Sequence, residues 1–279
     1  MYCYWEMVPI AKENLKYKTY EYHLLKTLVL AEPMLNNVHT KQEASFYMLA
    51  ANSSMVVIYL KAKDFSKAIG EGRKTYGFMK DGFDWADKYP DFNFSSGLYY
   101  FYAAQYPETH PVIQPVMWFF TKGNKEKGIE LLKKSAEKSL FSKTESDYFL
   151  AHVYLKYFTQ PLESIKYGRK LVERYPNNYF YLAKYVEALI LTKKYAEAKP
   201  LIEKLLKSPT DYFQIAGHLF SGMSEAAAMN FIIAKKQFEI AHKQILTTNK
   251  QTTDYLAFVY LGLGLIHEKD NKLKNAKYY

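Results

Sequence analysis

Short segments that end in a small residue recur along this chain at nearly constant spacing. The small residues are Gly128, Ser164, Ala198, Ala234 and Ala276, which lie 36, 34, 36 and 42 positions apart. Each segment interrupts an apolar stripe of helical period, as Lys193 and Lys194 do before Ala198. A small side chain is needed where two helix axes come close, because a larger one would hold them apart. The spacing therefore predicts a chain built from helix pairs.

The apolar pattern is helical on both sides of these breaks. Between Tyr179 and Leu191 the apolar residues recur at three- and four-residue spacing, and a second such stripe runs from Ala198 to Leu206. Alternation with a period of two is hard to find, so no strand is predicted. We expect an all-α fold, an α-α superhelix of about six to seven antiparallel helix pairs. Because each pair of an array packs only on its neighbours, residues 1–279 are predicted to form a single domain.

The repeat resembles that of the tetratricopeptide repeat (TPR) superfamily. Helix pairs with a period near 34 residues are typical of that superfamily. Gly222 and Gly264 lie twelve residues before the next small residue, where the family's first helix carries a small residue of its own. Pro176 and Pro209 close one repeat and open the next, as the family's terminal proline does. The resemblance implies a TPR-like solenoid that serves protein–protein interaction as a scaffold.

One segment departs from the spacing. Ala68 occupies the small position of an earlier turn, but the next small residue, Gly128, follows only 60 positions later. The excess falls on residues 89–122, which are rich in aromatic side chains and proline. We therefore predict an atypical insertion at 89–122 within the array.

Inside this insertion we expect an extra helix near Phe94–Gln105, a proline-bounded loop at Pro107–Pro111 and a helix that carries Trp118. The stretch from Ser95 to Leu191 resembles proteins of the tetratricopeptide-repeat-39 type and their bacterial relatives. That resemblance implies a non-enzymatic repeat protein of bacterial origin.

The charge pattern argues against sequence-specific nucleic-acid binding. The formal net charge is +10, but almost all basic residues are lysines, the arginines being Arg73, Arg169 and Arg174. Reading of base edges relies largely on the planar arginine fork, whereas scattered lysines attract phosphate without specificity. We expect no specific nucleic-acid partner. A polyanion binder stays open as an alternative that needs the lysines to gather on one face.

The sequence carries no feature that fixes its compartment. The longest apolar runs, such as Met55–Leu60 and Val116–Phe120, fall far short of the roughly 18–20 residues that span a bilayer, so no transmembrane segment is expected. Residues 1–6 do not read as a signal peptide. We expect a soluble protein that is the mature or trimmed part of a longer one. It would be periplasmic or associated with the cell envelope if a leader has been removed, and cytoplasmic otherwise.

The sequence contains no motif for catalysis or cofactor binding. Its seven histidines are scattered singly, and no two of them have the spacing and the acidic neighbour of a zinc-binding helix. Gly262 and Gly264 lack the third glycine and the preceding strand of a dinucleotide-binding loop. Ser224 lacks the second glycine of a nucleophile elbow. We therefore expect no enzyme activity, no cofactor and no metal site.

The family resemblance also implies where a partner would bind. In TPR proteins ligands usually lie against the first helices of the pairs. Aligned through the small residues, the family's contact positions form a mainly apolar groove in this chain. Its residues are Phe149, Val153, Lys156, Phe180, Ala183, Glu187, Leu219 and Met223. These positions lack the lysine and asparagine cluster with which family members clamp a terminal carboxylate. We therefore expect a protein or peptide that presents a helix or an apolar extended segment.

Two other kinds of partner are predicted. Four aromatic residues near the prolines of the insertion would line an apolar pocket, so the alternative function is binding of a small apolar ligand or lipid around residues 99–120. These residues are Phe101, Tyr102, Trp118 and Phe119. The chain also ends at Tyr279 inside a predicted second helix. An array without a polar cap favours self-association through its uncapped ends, or a further capping segment.

Overall fold

The computed structural model describes residues 14–118, 120–247 and 253–269, and this part of the chain is almost entirely helical. Its helices are α1 (Asn14–Ala31), α2 (Lys41–Lys61), α3 (Phe65–Trp85), α4 (Phe92–Thr109), α5 (Lys125–Lys138), α6 (Lys143–Lys156), α7 (Pro161–Arg174), α8 (Tyr179–Leu191), α9 (Tyr195–Leu206), α10 (Asp211–Ala227), α11 (Phe231–Thr247) and α12 (Thr253–Lys269). Two short 3-10 helices (Pro33–Asn36 and Pro111–Ile113) and a one-turn α-helix (Gln114–Met117) lie between them. The described residues contain no strand, so the prediction of an all-α fold is confirmed. None of the helices in these ranges is long and apolar enough to cross a membrane.

The chain divides into two compact units, with the boundary inside α6 after Ser146. In the first unit α2 packs against α1 and α3, and α4 packs against α3 and α5. In the second unit the helices from α7 to α12 pack in sequence order, and α10 also contacts α8 and α12. Packing between sequence neighbours is the arrangement of a helical repeat. That residues 1–279 form a single domain stays a prediction.

Four turns between paired helices share one backbone conformation. In each of them a residue other than glycine takes a positive φ, namely Lys63 (60°), Thr159 (51°), Lys193 (59°) and Met229 (64°). Each of these lies five positions before the small residue of its turn. The N–H of Lys194 donates to the carbonyl of Leu189 at 2.8 Å, the turns at Lys63 and Met229 repeat this bond, and at Thr159 it reaches one residue further back. This bond ends a helix on a left-handed residue, so the four segments are versions of one turn.

The small residue of each turn is buried where the second helix approaches the first. Ala68, Ala198 and Ala234 expose almost no surface. Ser164 is also buried, and its Oγ donates to the carbonyl of Ala151 in the preceding helix at 2.8 Å. The predicted small residue Ala276 lies outside the described residues.

Helices α4 and α5 form a further pair, in which the backbones come close as well. A Cβ added to Gly128 of α5 would lie 2.7 Å from the backbone nitrogen of Phe101 in α4, so even alanine does not fit there without a shift. The N–H of Asn124 donates to the carbonyl of Tyr100 at 2.8 Å, which is the counterpart of the bond at the other turns.

The connection between α4 and α5 is a long detour instead of a tight turn. In the pairs α2/α3, α8/α9 and α10/α11 the first helix ends two residues after the carbonyl that accepts this bond. Helix α4 continues past the equivalent position to Thr109. Residues 110–123 then lead the chain back to α5. The extended end of α4 and the returning segment are the part of the fold that departs from the repeat.

The helix predicted near Phe94–Gln105 is present as α4, but it is not an extra helix, because it is the first member of the pair that α5 completes. Two other details predicted for the insertion are wrong. Pro107 lies inside α4 instead of in a loop, where only two helical residues follow it and little helical bonding is lost. Trp118 follows a helix of a single turn, Gln114–Met117, and is not carried by it.

Candidate functional site

Three of the residues predicted to line the groove are part of the core. Val153 in α6, Ala183 in α8 and Leu219 in α10 are almost completely buried. The prediction that a partner contacts them is wrong. The family's contact positions assume a first helix with one open face, whereas α8 is packed against α7, α9 and α10 and is buried at nine of its positions.

The other five predicted residues retain some surface or lie beside residues that do. Phe149, Lys156, Phe180 and Met223 are half-buried. Glu187 is buried, and its Oε1 lies 2.8 Å from Nζ of Lys156, so the structure brings these two predicted residues together from α6 and α8. Met223 lies on α10, and none of the contacts above ties it to the other four.

A second lysine completes this arrangement. Nζ of Lys184 lies 3.1 Å from Oε2 of Glu187, so each carboxylate oxygen faces one lysine. Sequence reasoning missed Lys184. The signal was present, because a lysine and a glutamate three residues apart on a helix lie side by side. We call Lys156, Lys184 and Glu187 the lysine–glutamate cluster.

The electrostatics of the lysine–glutamate cluster leave it positive. Burial raises the pKa of Glu187, but the positive charges of Lys184 and Lys156 and their hydrogen bonds outweigh burial and lower it below its usual value. The carboxylate is therefore ionised at neutral pH. Two ammonium groups share one carboxylate, which leaves one formal positive charge. The side chains of Lys156 and Lys184 are 30% and 23% exposed, so this charge is open to solvent.

His152 lies one helical turn before Lys156 on α6. Burial lowers its pKa to about 4, with a further contribution from the charges of Lys184 and Lys156. The imidazole is neutral at physiological pH and adds no charge to the cluster. Its ring lies 6.1 Å from that of Tyr148 in a stacked orientation. Within the described part of the chain its buried Nδ1 has no hydrogen-bond partner.

A small cavity lies beside this histidine. It has a volume of about 10 Å³ and is bounded by residues of α6, α7 and α8, among them His152, Gly168, Tyr181 and Lys184. This is about the space that one water molecule needs. The cavity can hydrate the imidazole, but it is too small for an organic ligand.

Aromatic side chains lie two helical turns from the charged residues on the same two helices. Phe149 precedes Lys156 by seven residues on α6, and Phe180 precedes Glu187 by seven residues on α8. Seven residues bring a side chain back to the same face after about 10.5 Å. The rings of Tyr148 and Phe180 lie 5.5 Å apart and join the two helices at this end. The surface of α6 and α8 therefore has an aromatic end and a positively charged end.

The first unit contains a larger cavity, formed by the extended end of α4 and the returning segment. Its volume is about 600 Å³. We call it the insertion cavity. It is lined by Ala103, Ala104, Pro107, Gln114, Met117, Trp118, Phe120, Thr121, Lys122 and Gly123.

The four residues predicted to line an apolar pocket have different positions. Trp118 lines the insertion cavity and is 87% exposed. The prediction for Phe101 is wrong, because this side chain is fully buried against α5 at Gly128. Tyr102 is half-buried, packs edge-on against Phe101 and is not part of the lining. Phe119 lies outside the described residues.

Two tyrosine hydroxyls hold the returning segment in place. Oη of Tyr99 donates to the carbonyl of Thr121 at 2.6 Å, and the N–H of Thr121 donates to Oη of Tyr76 at 3.1 Å. Burial, together with the interaction with the Tyr76 hydroxyl, raises the pKa of Tyr99, so its phenol keeps its proton. A Cβ on Gly123 would overlap the backbone of Ala104, so only glycine allows the segment to run this close to α4. The back wall of the insertion cavity is therefore fixed.

Neither a metal site nor a known relative indicates the chemistry of this protein. Among the residues that the structure describes, no group of three His, Cys, Asp or Glu side chains could hold a metal ion. No family model, curated protein or solved structure gives a significant match to the chain. A function for this protein therefore rests on the geometry of its own surfaces.

Proposed function

We propose that this protein is a non-catalytic binding scaffold whose second unit holds a protein or peptide segment across α6 and α8. The observation that carries the proposal is the surface on which aromatic rings and the lysine–glutamate cluster lie two helical turns apart. The proposed partner segment presents apolar side chains to the aromatic end and an acidic side chain to the cluster.

The aromatic end supplies area for an apolar anchor. Tyr148, Phe149 and Phe180 are each half-buried, so part of every ring is open to a partner. Aromatic rings bury a large area at a small loss of side-chain entropy and are frequent among the residues that dominate binding energy. Their contact with each other, at 5.2 Å between Tyr148 and Phe149, holds them in place before a partner arrives.

The charged end would orient the partner segment on the surface. One positive charge of the lysine–glutamate cluster is uncompensated, and Lys156 and Lys184 both reach solvent. A carboxylate of a partner would neutralise this charge, whereas a lysine or arginine there would be repelled. Charge complementarity of this kind selects partners and fixes their register more than it adds affinity.

The architecture is suited to a scaffold. In the second unit α10 contacts both α8 and α12, so the first helices of successive pairs lie side by side. Arrays of helix pairs expose extended surfaces for binding, and the resemblance to TPR proteins agrees with this use. An acidic side chain in the partner is an addition to the sequence prediction of a helix or an apolar extended segment, and it follows from Lys184.

Selection from a random peptide library tests the proposal without a known partner. The full chain is immobilised, and peptides displayed on phage are selected at low salt. We expect enrichment of peptides that combine aromatic or large aliphatic residues with Asp or Glu, and we expect their affinity to fall as salt is raised. An enriched peptide is then titrated against variants by fluorescence polarisation.

Matched variants separate the two ends of the surface. Phe180→Ser and Lys184→Ala should each weaken binding of the peptide, by about tenfold and about threefold. Lys199→Ala on the exposed side of α9 and Tyr195→Ser serve as controls and should leave the affinity unchanged. If selected peptides bind the Phe180→Ser and Lys184→Ala proteins as tightly as the native one, the surface of α6 and α8 is not the binding site.

A further inference from the structure

We propose that the insertion cavity binds a single long-chain carboxylate, a fatty acid, with its chain between α4 and the returning segment and its carboxylate at Lys122. This site lies in the first unit and is separate from the surface of α6 and α8. It is independent of the proposed scaffold function.

The cavity exists because the chain departs from its own repeat at this point. In the other pairs the first helix ends two residues after the residue whose carbonyl accepts the hydrogen bond of the turn. In this pair Tyr100 is that residue, and α4 continues nine residues beyond it. The last turns of α4 therefore extend beyond the helix pair. The returning segment would cover them in a tightly packed protein, yet it leaves a volume of about 600 Å³. Pockets for small organic ligands have volumes of about 300–1,000 Å³.

The lining of the insertion cavity favours a ligand with an apolar chain. The α4 wall consists of Ala103, Ala104 and Pro107, whose short side chains leave room beside the helix. The opposite wall carries Met117, Trp118 and Phe120. Trp118 is 87% exposed, which is unusual for the side chain with the largest apolar area, and a ligand in the cavity would cover it. An unbranched alkyl chain fits between two such walls because it can follow the helix surface.

The lining also favours a ligand with a negatively charged head group. Lys122 is the one charged residue among the ten that line the cavity within the described chain, and it is exposed to solvent. The other polar side chains are Gln114 and Thr121. A carboxylate can pair with the ammonium of Lys122 and accept a hydrogen bond from the amide of Gln114. A cationic head group would be repelled there, and a neutral alcohol would leave the lysine unpaired.

The wall beside Lys122 is preorganised for this purpose. Thr121 is held by the hydroxyls of Tyr76 and Tyr99, and Asn124 is held by the carbonyl of Tyr100. The lysine therefore projects from a backbone that is fixed on both sides. A fixed wall lowers the conformational entropy that a ligand must offset on binding.

Tryptophan fluorescence of the full-length protein provides the test. Trp118 lies in the cavity wall, and Trp85 belongs to the core cluster of α3. The protein is titrated with dodecanoate below its critical micelle concentration, and with dodecanol and dodecyltrimethylammonium as probes of equal chain length. We expect a saturable blue shift with dodecanoate, absent in Trp118→Phe, while calorimetry of that variant still detects binding.

Two pairs of variants distinguish the contribution of the ligand's alkyl chain to binding from that of its head group. Lys122→Gln should weaken dodecanoate binding about threefold and leave dodecanol unchanged, with Lys199→Gln as control. Ala103→Phe fills the space beside α4 and should weaken both probes about tenfold or more, with Ala227→Phe on the exposed end of α10 as control. Circular dichroism establishes that each variant is folded, and Lys122→Gln on the surface remains informative if Ala103→Phe is not.

Three results would overturn the proposal. They are a titration with dodecanoate that does not saturate, equal affinity for the cationic probe, and native affinity in both Lys122→Gln and Ala103→Phe. Binding of the protein to vesicles of phosphatidylglycerol is measured in a separate experiment. Binding to these vesicles without binding of monomeric dodecanoate would show a membrane surface as the target and would also refute the fatty-acid site.

Discussion

Replacing Glu187 with glutamine removes the carboxylate that Lys156 and Lys184 share while keeping the volume of the side chain. The two contacts, at 2.8 and 3.1 Å, are hydrogen bonds to a charged group, each of which contributes about 1.5–3 kcal/mol when well buried. The lysines are 30% and 23% exposed and can turn towards water, so the lower value applies. The amide oxygen of glutamine can still accept one hydrogen bond, worth about 1 kcal/mol. We therefore expect Glu187→Gln to destabilise the second unit by about 2 kcal/mol.

Hydrogen exchange measured by mass spectrometry reports this loss where it occurs. The slow amides of α6 and α8 give the free energy of local opening directly. The matched control is Glu163→Gln on α7, whose contact with Lys166 at 2.7 Å joins side chains that are 37% and 63% exposed. Exposed pairs of this kind contribute little, so the control should change the opening free energy by less than about 0.5 kcal/mol.

The effect of Glu187→Gln also has a defined dependence on pH. The lysines lower the pKa of Glu187 in the folded protein below its ordinary value of 4.5. The ionised carboxylate therefore stabilises the fold fully above that value, and the stabilisation is lost as the pH falls through the lower, folded pKa. Native protein and variant should differ most at neutral pH and converge in acid. A difference below about 0.5 kcal/mol at pH 7, or one that persists unchanged in acid, would refute the assigned role of the shared carboxylate.

Other substitutions test the turn, the close helix contact and a carboxylate that holds the segment before α6. Lys193→Gly should raise the free energy of unfolding by about 1 kcal/mol in urea titrations, because φ is 59° there, whereas Lys194→Gly, at a φ of −84°, should not. Gly128→Ala should cost about 1–3 kcal/mol by the same measurement, since its Cβ would lie 2.7–2.9 Å from the backbone of α4, and a neutral result would contradict that close approach. Asp91→Ala should cost about 1–2 kcal/mol and speed amide exchange at Phe141 and Ser142, which precede α6 and whose N–H groups each donate to its carboxylate at 2.8 Å. Unchanged exchange at these two amides would show that Asp91 does not hold this segment.

The turns were predictable because their determinants are local. The small residue, the break in the apolar stripe and the helical period all lie within a few residues of each other, as at Ala198. The left-handed residue five positions earlier was not predicted, since lysine, threonine and methionine occupy it instead of glycine. Each of these side chains costs free energy in that conformation, so the packing of the buried small residue must hold the turn in place.

The proposed binding surface was harder to predict because it depends on which neighbour covers each helix. Helical period places Val153 and Lys156 on adjoining strips of α6, but it does not tell which strip the next helix buries. The structure buries Val153 and leaves Lys156 partly open. Alignment to the family's contact positions predicts the same exposed positions on the first helix of every pair. Helix α8 is covered by neighbouring helices on more sides than that alignment assumes.

The unequal intervals between small residues follow the lengths of the helices. The interval of 34 spans α7 and α8, which have 14 and 13 residues, whereas the interval of 42 begins in α11 and contains α12, which have 17 residues each. A turn of constant geometry fixes where two helices cross, so additional residues can only extend a helix beyond that crossing. Such an extension has no partner within its own pair and leaves side chains open, as Leu246 near the end of α11 is. The longest extension is that of α4, and the chain needs residues 110–123 to return from it. A cavity at this end of α4 is therefore the expected consequence of lengthening one helix while the repeat's crossing point stays in place.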